Sequence, residues 1–180
     1  MEFLEAVRNR RSIRNYTDKT VTAEQIQEII EISRYAPSWK NSQTAKYYVI
    51  LNQELKNQIA EQGTCDFSKN KMNIQNAPCL VVLTTVNGIA GYDPDGSFTT
   101  SKGTHWQSFD AGIACQTFCL TAYEKGLGTL IMGIYDEEKI KKLLNLPDSE
   151  SISALIAVGC EALHPDAPKR KDTQEIMQIF

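Results

Sequence analysis

Three arginines and a serine fall within five residues at Arg10-Arg11-Ser12-Ile13-Arg14. Each guanidinium is permanently charged and presents a planar fork of donors, which suits a phosphate bidentately, and the Ser12 hydroxyl adds a short-range donor to the same ligand. The stretch therefore reads as an anion receptor. A plainer reading also exists: Phe3-Leu4-Glu5-Ala6-Val7 looks like a short amphipathic helix, and cations in its last turn would favour the helix dipole by roughly 0.3–1 kcal/mol each. Taken alone, these residues leave both readings open.

Little else in the chain could carry chemistry by itself. His105 and His164 are isolated, and no Ser-His-Asp arrangement or carboxylate pair stands at an informative spacing. Cys115 and Cys119 lie at i, i+4 and could share a ligand, but no histidine or third cysteine accompanies them, so buried core is the expectation and a metal is not. Such a sequence suits an enzyme whose cofactor performs the difficult step. A second polar stretch, Ala36-Pro37-Ser38-Trp39-Lys40-Asn41-Ser42-Gln43, follows the first long helical segment; alone it reads as a Pro-Ser turn.

With 180 residues, 42% hydrophobic and 23% charged, the chain fits one domain able to bury a core. A net charge of −3 gives no overall attraction to nucleic acid or an anionic membrane, so polyanion contacts must come from local clusters at 8–14 and 169–171. A small anionic ligand is the partner that this charge favours. No apolar run reaches the roughly 18–20 residues needed to span a bilayer, and the first residues lack the basic start and apolar body of a signal peptide, so a cytoplasmic location is expected. The five cysteines form an odd set without Cys-x-x-Cys pairs, which points to reduced, buried thiols.

The elements that must position these residues interleave. Thr22 is a plausible N-cap for a helix from about Ala23 to Tyr35, stopped by Pro37. Tyr47 to Leu51 reads as a buried strand, followed by a short helix near Glu54–Glu61; residues 63–76 read as loop with room for one helical turn. Cys79 to Leu83 is a central strand. Residues 87–103 are rich in Gly, Asp, Ser and Thr, longer than an ordinary connection, with Tyr92 and Phe98 as apolar anchors. From His105 to about Lys125 the apolar residues fall on most sides of a helical wheel, so a helix about 30 Å long must pack on the sheet and on something else, a second copy being the simplest candidate. Gly126 ends it, Thr129 to Ile134 reads as a strand, Asp136 caps a helix to about Leu144, and Ser153 to Gly159 is the last buried strand. Residues 164–180 form a basic tail carrying Lys169-Arg170-Lys171. Interleaved helices and apolar strands give an α+β or α/β sandwich.

Arg-Arg-Ser-x-Arg near the amino terminus, then Pro-Ser-x-x-Asn-x-Gln after one helix, resembles the FMN-dependent nitroreductases. The likeness extends through Phe109-Asp110-Ala111-Gly112-Ile113-Ala114, Gly126-Leu127-Gly128-Thr129 and the basic tail, essentially the whole chain. It implies a mixed sheet flanked by helices in an intertwined homodimer, with FMN in each of two interfacial cavities. By the same resemblance, Arg10, Arg11, Ser12 and Arg14 hold the phosphate and ribityl chain and reach the pyrimidine edge, where fixed positive charge would stabilise a reduced flavin. Pro37, Ser38, Asn41 and Gln43 match the motif that covers the ring from the other subunit. Ile131, Met132 and Gly133 match the segment whose backbone lies against the flavin and offers an N–H to N5; many relatives carry Glu at the position of Met132. Arg170, with Lys169 and Lys171 less well matched, corresponds to the carboxy-terminal phosphate contact. Gln43 is followed by Thr44-Ala45 in place of the family's Pro-Trp.

The expectation is a homodimeric flavoprotein that oxidises NADH or NADPH and reduces a nitroaromatic, quinone or similar flat acceptor by two-electron ping-pong transfer. Flavin N5, not a side chain, would carry the hydride. Residues 87–103 would act as a lid, with Tyr92 or Phe98 as an apolar wall on the substrate side. The competing readings are a flavin- or phosphate-binding module without turnover, and a specialised reductase or dehalogenase of the same family.

Overall fold

The computed structural model describes residues 2–180. Four strands, β1 (Ala45–Ile50), β2 (Cys79–Val86), β3 (Gly128–Met132) and β4 (Glu150–Gly159), form one sheet in the order β1-β2-β4-β3. Neighbouring strands pair antiparallel, and the parallel component is a bridge between Ser12 and Thr129 at the outer edge of β3. β2 and β4 are central and covered on both faces, which is why both contain continuous apolar runs.

Alternate residues of those two strands serve two cores. On one face, α2 (Ala23–Ser33) and α5 (His105–Glu124) bring Ile26, Ile29, Phe118 and Ala122 against Val81, Leu83, Ile156 and Val158. On the other, α3 (Gln53–Gln62), α4 (Ser68–Asn76) and α6 (Glu137–Leu144) bring Ile59, Ile74 and Ile140 against Leu80, Val82, Leu155 and Ala157. The result is an α+β sandwich of helices on both faces of a sheet, as expected. The short helices α1 (Phe3–Asn9) and α7 (Thr173–Ile176) lie near the termini, and the tail from 164 is exposed almost throughout.

The helix ends follow local chemistry. Thr22 forms a reciprocal capping box with Gln25, and Asp136 accepts from the Lys139 N–H at 3.1 Å. Gly126 takes the left-handed conformation (φ 79°) that ends α5.

Several expectations need correction. Residues 63–76 contain the nine-residue α4; its polar composition hid a buried side made by Asn70, Asn73 and Ile74, where the Asn70 amide donates to the Ile134 carbonyl at 3.0 Å. β1 begins at Ala45 and is a half-exposed edge strand, not a buried one. β2 continues to Val86 and β4 begins at Glu150, because Thr84 and Glu150, both buried, bond to each other at 2.7 Å. Cys65 is exposed, although Cys79, Cys115 and Cys119 are buried, and all five thiols are free.

Glu150 gathers donors from three side chains: Lys46, Tyr48 and Thr84. Burial pulls its carboxyl pKa upward, but these hydrogen bonds outweigh that effect and hold it below the ordinary value. A depressed folded-state value stabilises the protein above the unfolded pKa of about 4.3, and that contribution is lost as pH falls through the folded value. Glu150→Gln is therefore expected to cost about 1–3 kcal/mol at neutral pH, the gap from wild type narrowing below about pH 4. Urea denaturation across that pH range measures it.

Candidate functional site

The arginine stretch is fastened to the outer edge of β3. Its anchor is Ile13, only 1% exposed, whose N–H donates to the Thr129 carbonyl at 2.9 Å while its own carbonyl accepts from the Tyr16 hydroxyl at 2.8 Å. Gly128 makes the fit possible, since a Cβ there would lie 2.5 Å from Ile13 Cγ1. With Ile13 inside, Arg14 is exposed and Arg10 and Arg11 are half-buried. Arg11 donates to the carbonyls of Arg8 and Arg10, and Arg14 to that of Ser12 at 3.2 Å. Among the described residues, none of the three guanidiniums is paired with a carboxylate. Arg11 Nε is buried without a partner, and Thr129 Oγ1 faces only the Cys119 thiol. Buried polar groups are normally satisfied, so these atoms are suited to meet a polar ligand at this edge.

Along the same edge come Ile131, Met132 and Gly133. The Met132 side chain is 3% exposed and packs in the core below the sheet, whereas Ile131 is 46% exposed on the opposite face. Because the Thr129 carbonyl points outward to Ile13, alternation turns the main chains of Ile131 and Gly133 outward and that of Met132 toward β4. In this register the Met132 side chain lies in the core and its peptide group turns toward β4. Ile131 and Tyr135 border a cavity of about 470 Å³ under α5, floored by Leu83 and Ala154 and lined by uncharged groups throughout. That volume lies within the usual range for small-molecule sites.

Pro37, Ser38, Asn41 and Gln43 lie elsewhere. Their loop packs beside Asp110 and Ala114, where Pro37, Ser38 and Gln43 line a separate, smaller cavity. Lys40, Asn41 and Gln43 have φ of 46°, 55° and 50°, a left-handed conformation that costs non-glycine residues energy. Main-chain bonds from Asn41 to Ser38 and Ser42 to Trp39 hold it, with two side-chain contacts: Gln43 N–H donates to Ser38 Oγ at 3.0 Å, and Trp39 N–H donates to Asp110 Oδ2 at 2.8 Å. Burial raises the Asp110 pKa and the Trp39 N–H opposes that rise. Trp39 Nε1, Ser42 Oγ and Thr44 Oγ1 are buried without partners. Every such orphaned side-chain atom among the described residues thus lies in, beside or bridged to the two motifs singled out in the sequence.

The remaining candidates are not gathered with these. Lys169 and Arg170 lie on the exposed tail, where Arg170 donates only to the Pro168 carbonyl. Tyr92 and Phe98 face each other, with ring centroids 4.9 Å apart, and Phe98 closes on Gly103. Residues 87–103 are therefore folded on themselves rather than draped freely.

The sequence profile of the nitroreductase family matches residues 7–160. The chain belongs to the nitroreductase family. A family protein of known structure from Clostridium novyi NT is 29% identical and superposes with a TM-score of 0.78, covering 89% of this chain and 86% of the other. The Bacillus subtilis (strain 168) protein named FMN reductase, with NAD(P)H as its stated donor, is 28% identical over 81% of this chain and 60% of its own length. The iodotyrosine deiodinase of Nematostella vectensis is 24% identical over 99% of this chain and 75% of its own.

In this family member, sequence reasoning missed Asp110 and Gln107 as positioning groups. Gln107 donates to Thr85 Oγ1 at 2.8 Å and Asn87 Oδ1 at 2.7 Å, tying α5 to the start of the 87–103 segment beside the cavity. The available signal was the run of small or polar residues at 107, 108, 111, 112 and 115, one face of an otherwise apolar helix. Gly128→Ala tests the anchoring directly. Displacing Ile13 is expected to cost about 1–3 kcal/mol, and tryptic cleavage after Arg10, Arg11 and Arg14 should accelerate while cleavage elsewhere in the folded protein does not.

Proposed function

We propose that this chain is an FMN-dependent oxidoreductase that draws reducing equivalents from NADH or NADPH and delivers them two at a time to flat acceptors such as nitroaromatics or quinones. The observation that carries the reading is the set of cations without carboxylate partners, fixed at 10–14 beside the outward main chain of Ile131 and Gly133. The donors fit a phosphate-bearing flavin: guanidiniums, a hydroxyl and an orphaned Nε stand next to a strand edge and an uncharged cavity. When bound, FMN supplies the two-electron chemistry. Arg10, Arg11 and Ser12 hold its phosphate, Arg14 places positive charge toward the ring, and the edge at Ile131 and Gly133 offers main-chain hydrogen bonds.

Pro37, Ser38, Asn41 and Gln43 are held beside Asp110, in a cavity that none of residues 10–14 lines, so in this reading they serve the flavin of a second copy. A homodimer also covers the exposed ridge of α5 formed by Ser108, Phe109, Gly112 and Gln116. Lys169 and Arg170 reach a phosphate only when the tail docks. Residues 1–180 act as one flavin-binding domain, and the 87–103 segment, already folded on Tyr92 and Phe98, walls the acceptor side. No helix among the described residues is long and apolar enough to cross a membrane; a cytoplasmic site of action belongs to the same reading.

A second reading, reductive dehalogenation of an aromatic substrate, draws on the similarity to iodotyrosine deiodinase. Anaerobic mixing separates the possibilities. NADH or NADPH should bleach the bound flavin, and a nitroaromatic or quinone should restore its colour; restoration only by a halogenated aromatic favours the second reading, and no bleaching leaves a binding module. Arg10→Ala should weaken FMN binding about ten- to a hundredfold in a fluorescence titration, the loss of one charge-assisted contact. Sedimentation at micromolar concentration should give a dimer; a flavin-loaded monomer contradicts the shared site.

A further inference from the structure

The loop at 37–43 meets the start of α5 through an aromatic wall that the cofactor reading does not use. The indoles of Trp39 and Trp106 lie with centroids 4.7 Å apart, and the exposed Phe109 ring meets Trp106 edge-on at 5.6 Å. Each indole is covered by a lysine: Lys40 Nζ lies 5.5 Å from the Trp39 centroid and Lys102 Nζ 5.5 Å from that of Trp106. The wall is fixed from behind. The Trp39 main chain is bonded to Asp110, and Trp106 Nε1 donates to Thr100 Oγ1 at 2.8 Å.

One ammonium group thus lies over each indole of the aromatic pair. Among the described residues neither lysine forms an ion pair. Asp110 accepts from the Trp39 N–H, Asp93 from Thr99 and Asp95 from Ser97, so each carboxylate is held by neutral donors and not by either lysine. The first turn of α5 carries no acidic residue either, so the helix dipole adds to the positive field. Aromatic rings attract a flat ring, and the cations beside them attract an anion at its edge.

We propose that this wall selects acceptors: a flat aromatic bearing a carboxylate, its ring against the indoles and Phe109 and its anionic group between Lys40 and Lys102. The proposal rests on the reductase reading, in which the 37–43 loop borders a flavin, and it names the substrate class of that site. For a nitroaromatic the balance is simple. The nitro group gains two electrons and two protons to give nitroso and water, NAD(P)H supplying a hydride equivalent and solvent the other proton.

The test compares 4-nitrobenzoate with its neutral isostere 4-nitrobenzamide on FMN-loaded protein, in wild type, the double variant Lys40→Gln/Lys102→Gln, and Lys40→Arg/Lys102→Arg. Both lysines are exposed, and equal FMN content in the variants verifies the fold. The benzoate-to-benzamide ratio of kcat/KM should fall about five- to tenfold in the glutamine variant, persist in the arginine variant and shrink with added salt in wild type. An unchanged ratio overturns the proposal. So does a variant that instead loses discrimination between NADPH and NADH, which would assign the lysines to the nucleotide phosphate. Quenching of tryptophan fluorescence by the two compounds reads binding without turnover. If no acceptor is reduced, tighter wild-type binding of benzoate that the glutamine variant loses still supports the anion site, and equal binding overturns it separately from the reductase reading.

Discussion

The attachment of Ile13 to the outer edge of β3 is the constraint on which the site depends. A free strand edge presents unpaired main-chain groups and is normally blunted or covered. Here the cover is short: the bridge at Ser12 and Thr129 and the bond from Ile13 occupy the start of the edge, while Ile131 and the following Gly133 remain beyond it. Burying Ile13 under Gly128 fixes the chain that carries Arg10, Arg11 and Arg14, so one apolar residue gathers a charged segment into a cluster of donors at the strand edge. The same contact explains why glycine stands at 128, where even a methyl group would collide with the anchor.

The disposition of negative charge reinforces this. Glu150 neutralises Lys46 at one end of the sheet, and Asp110 is spent on the Trp39 main chain. Among the described residues no ion pair quenches Arg10, Arg11 or Arg14. Two polar loops therefore carry the orphaned buried donors and acceptors, each costing about 1–3 kcal/mol if left without a partner. A ligand at the first and a second copy of the chain at both would offset that cost, which makes binding and assembly parts of one energetic problem.

Much of this was legible in the sequence because it is local. The cap at Thr22, the stop after α5 at Gly126, the apolar runs of β2 and β4 and the arginine cluster each declare themselves within a few residues. What stayed hidden depends on contacts distant in the chain. α4 reads as polar loop until Asn70 meets Ile134, and the extension of β2 and β4 rests on Thr84 finding Glu150. The direction of the Met132 peptide group likewise depends on register, set here by Ile13 pairing with Thr129. Asp110 looked like one more residue of an apolar helix, and only the fold brings it to Trp39.

The central claim is that Arg10, Arg11 and Ser12 recognise a phosphate. Parallel titrations of the apoprotein with FMN and riboflavin, which differ only in that group, test it most directly. Two charge-assisted contacts predict FMN binding at least about a hundredfold tighter, with the gap closing as salt is raised. Equal affinity for the two flavins at low salt would contradict the account.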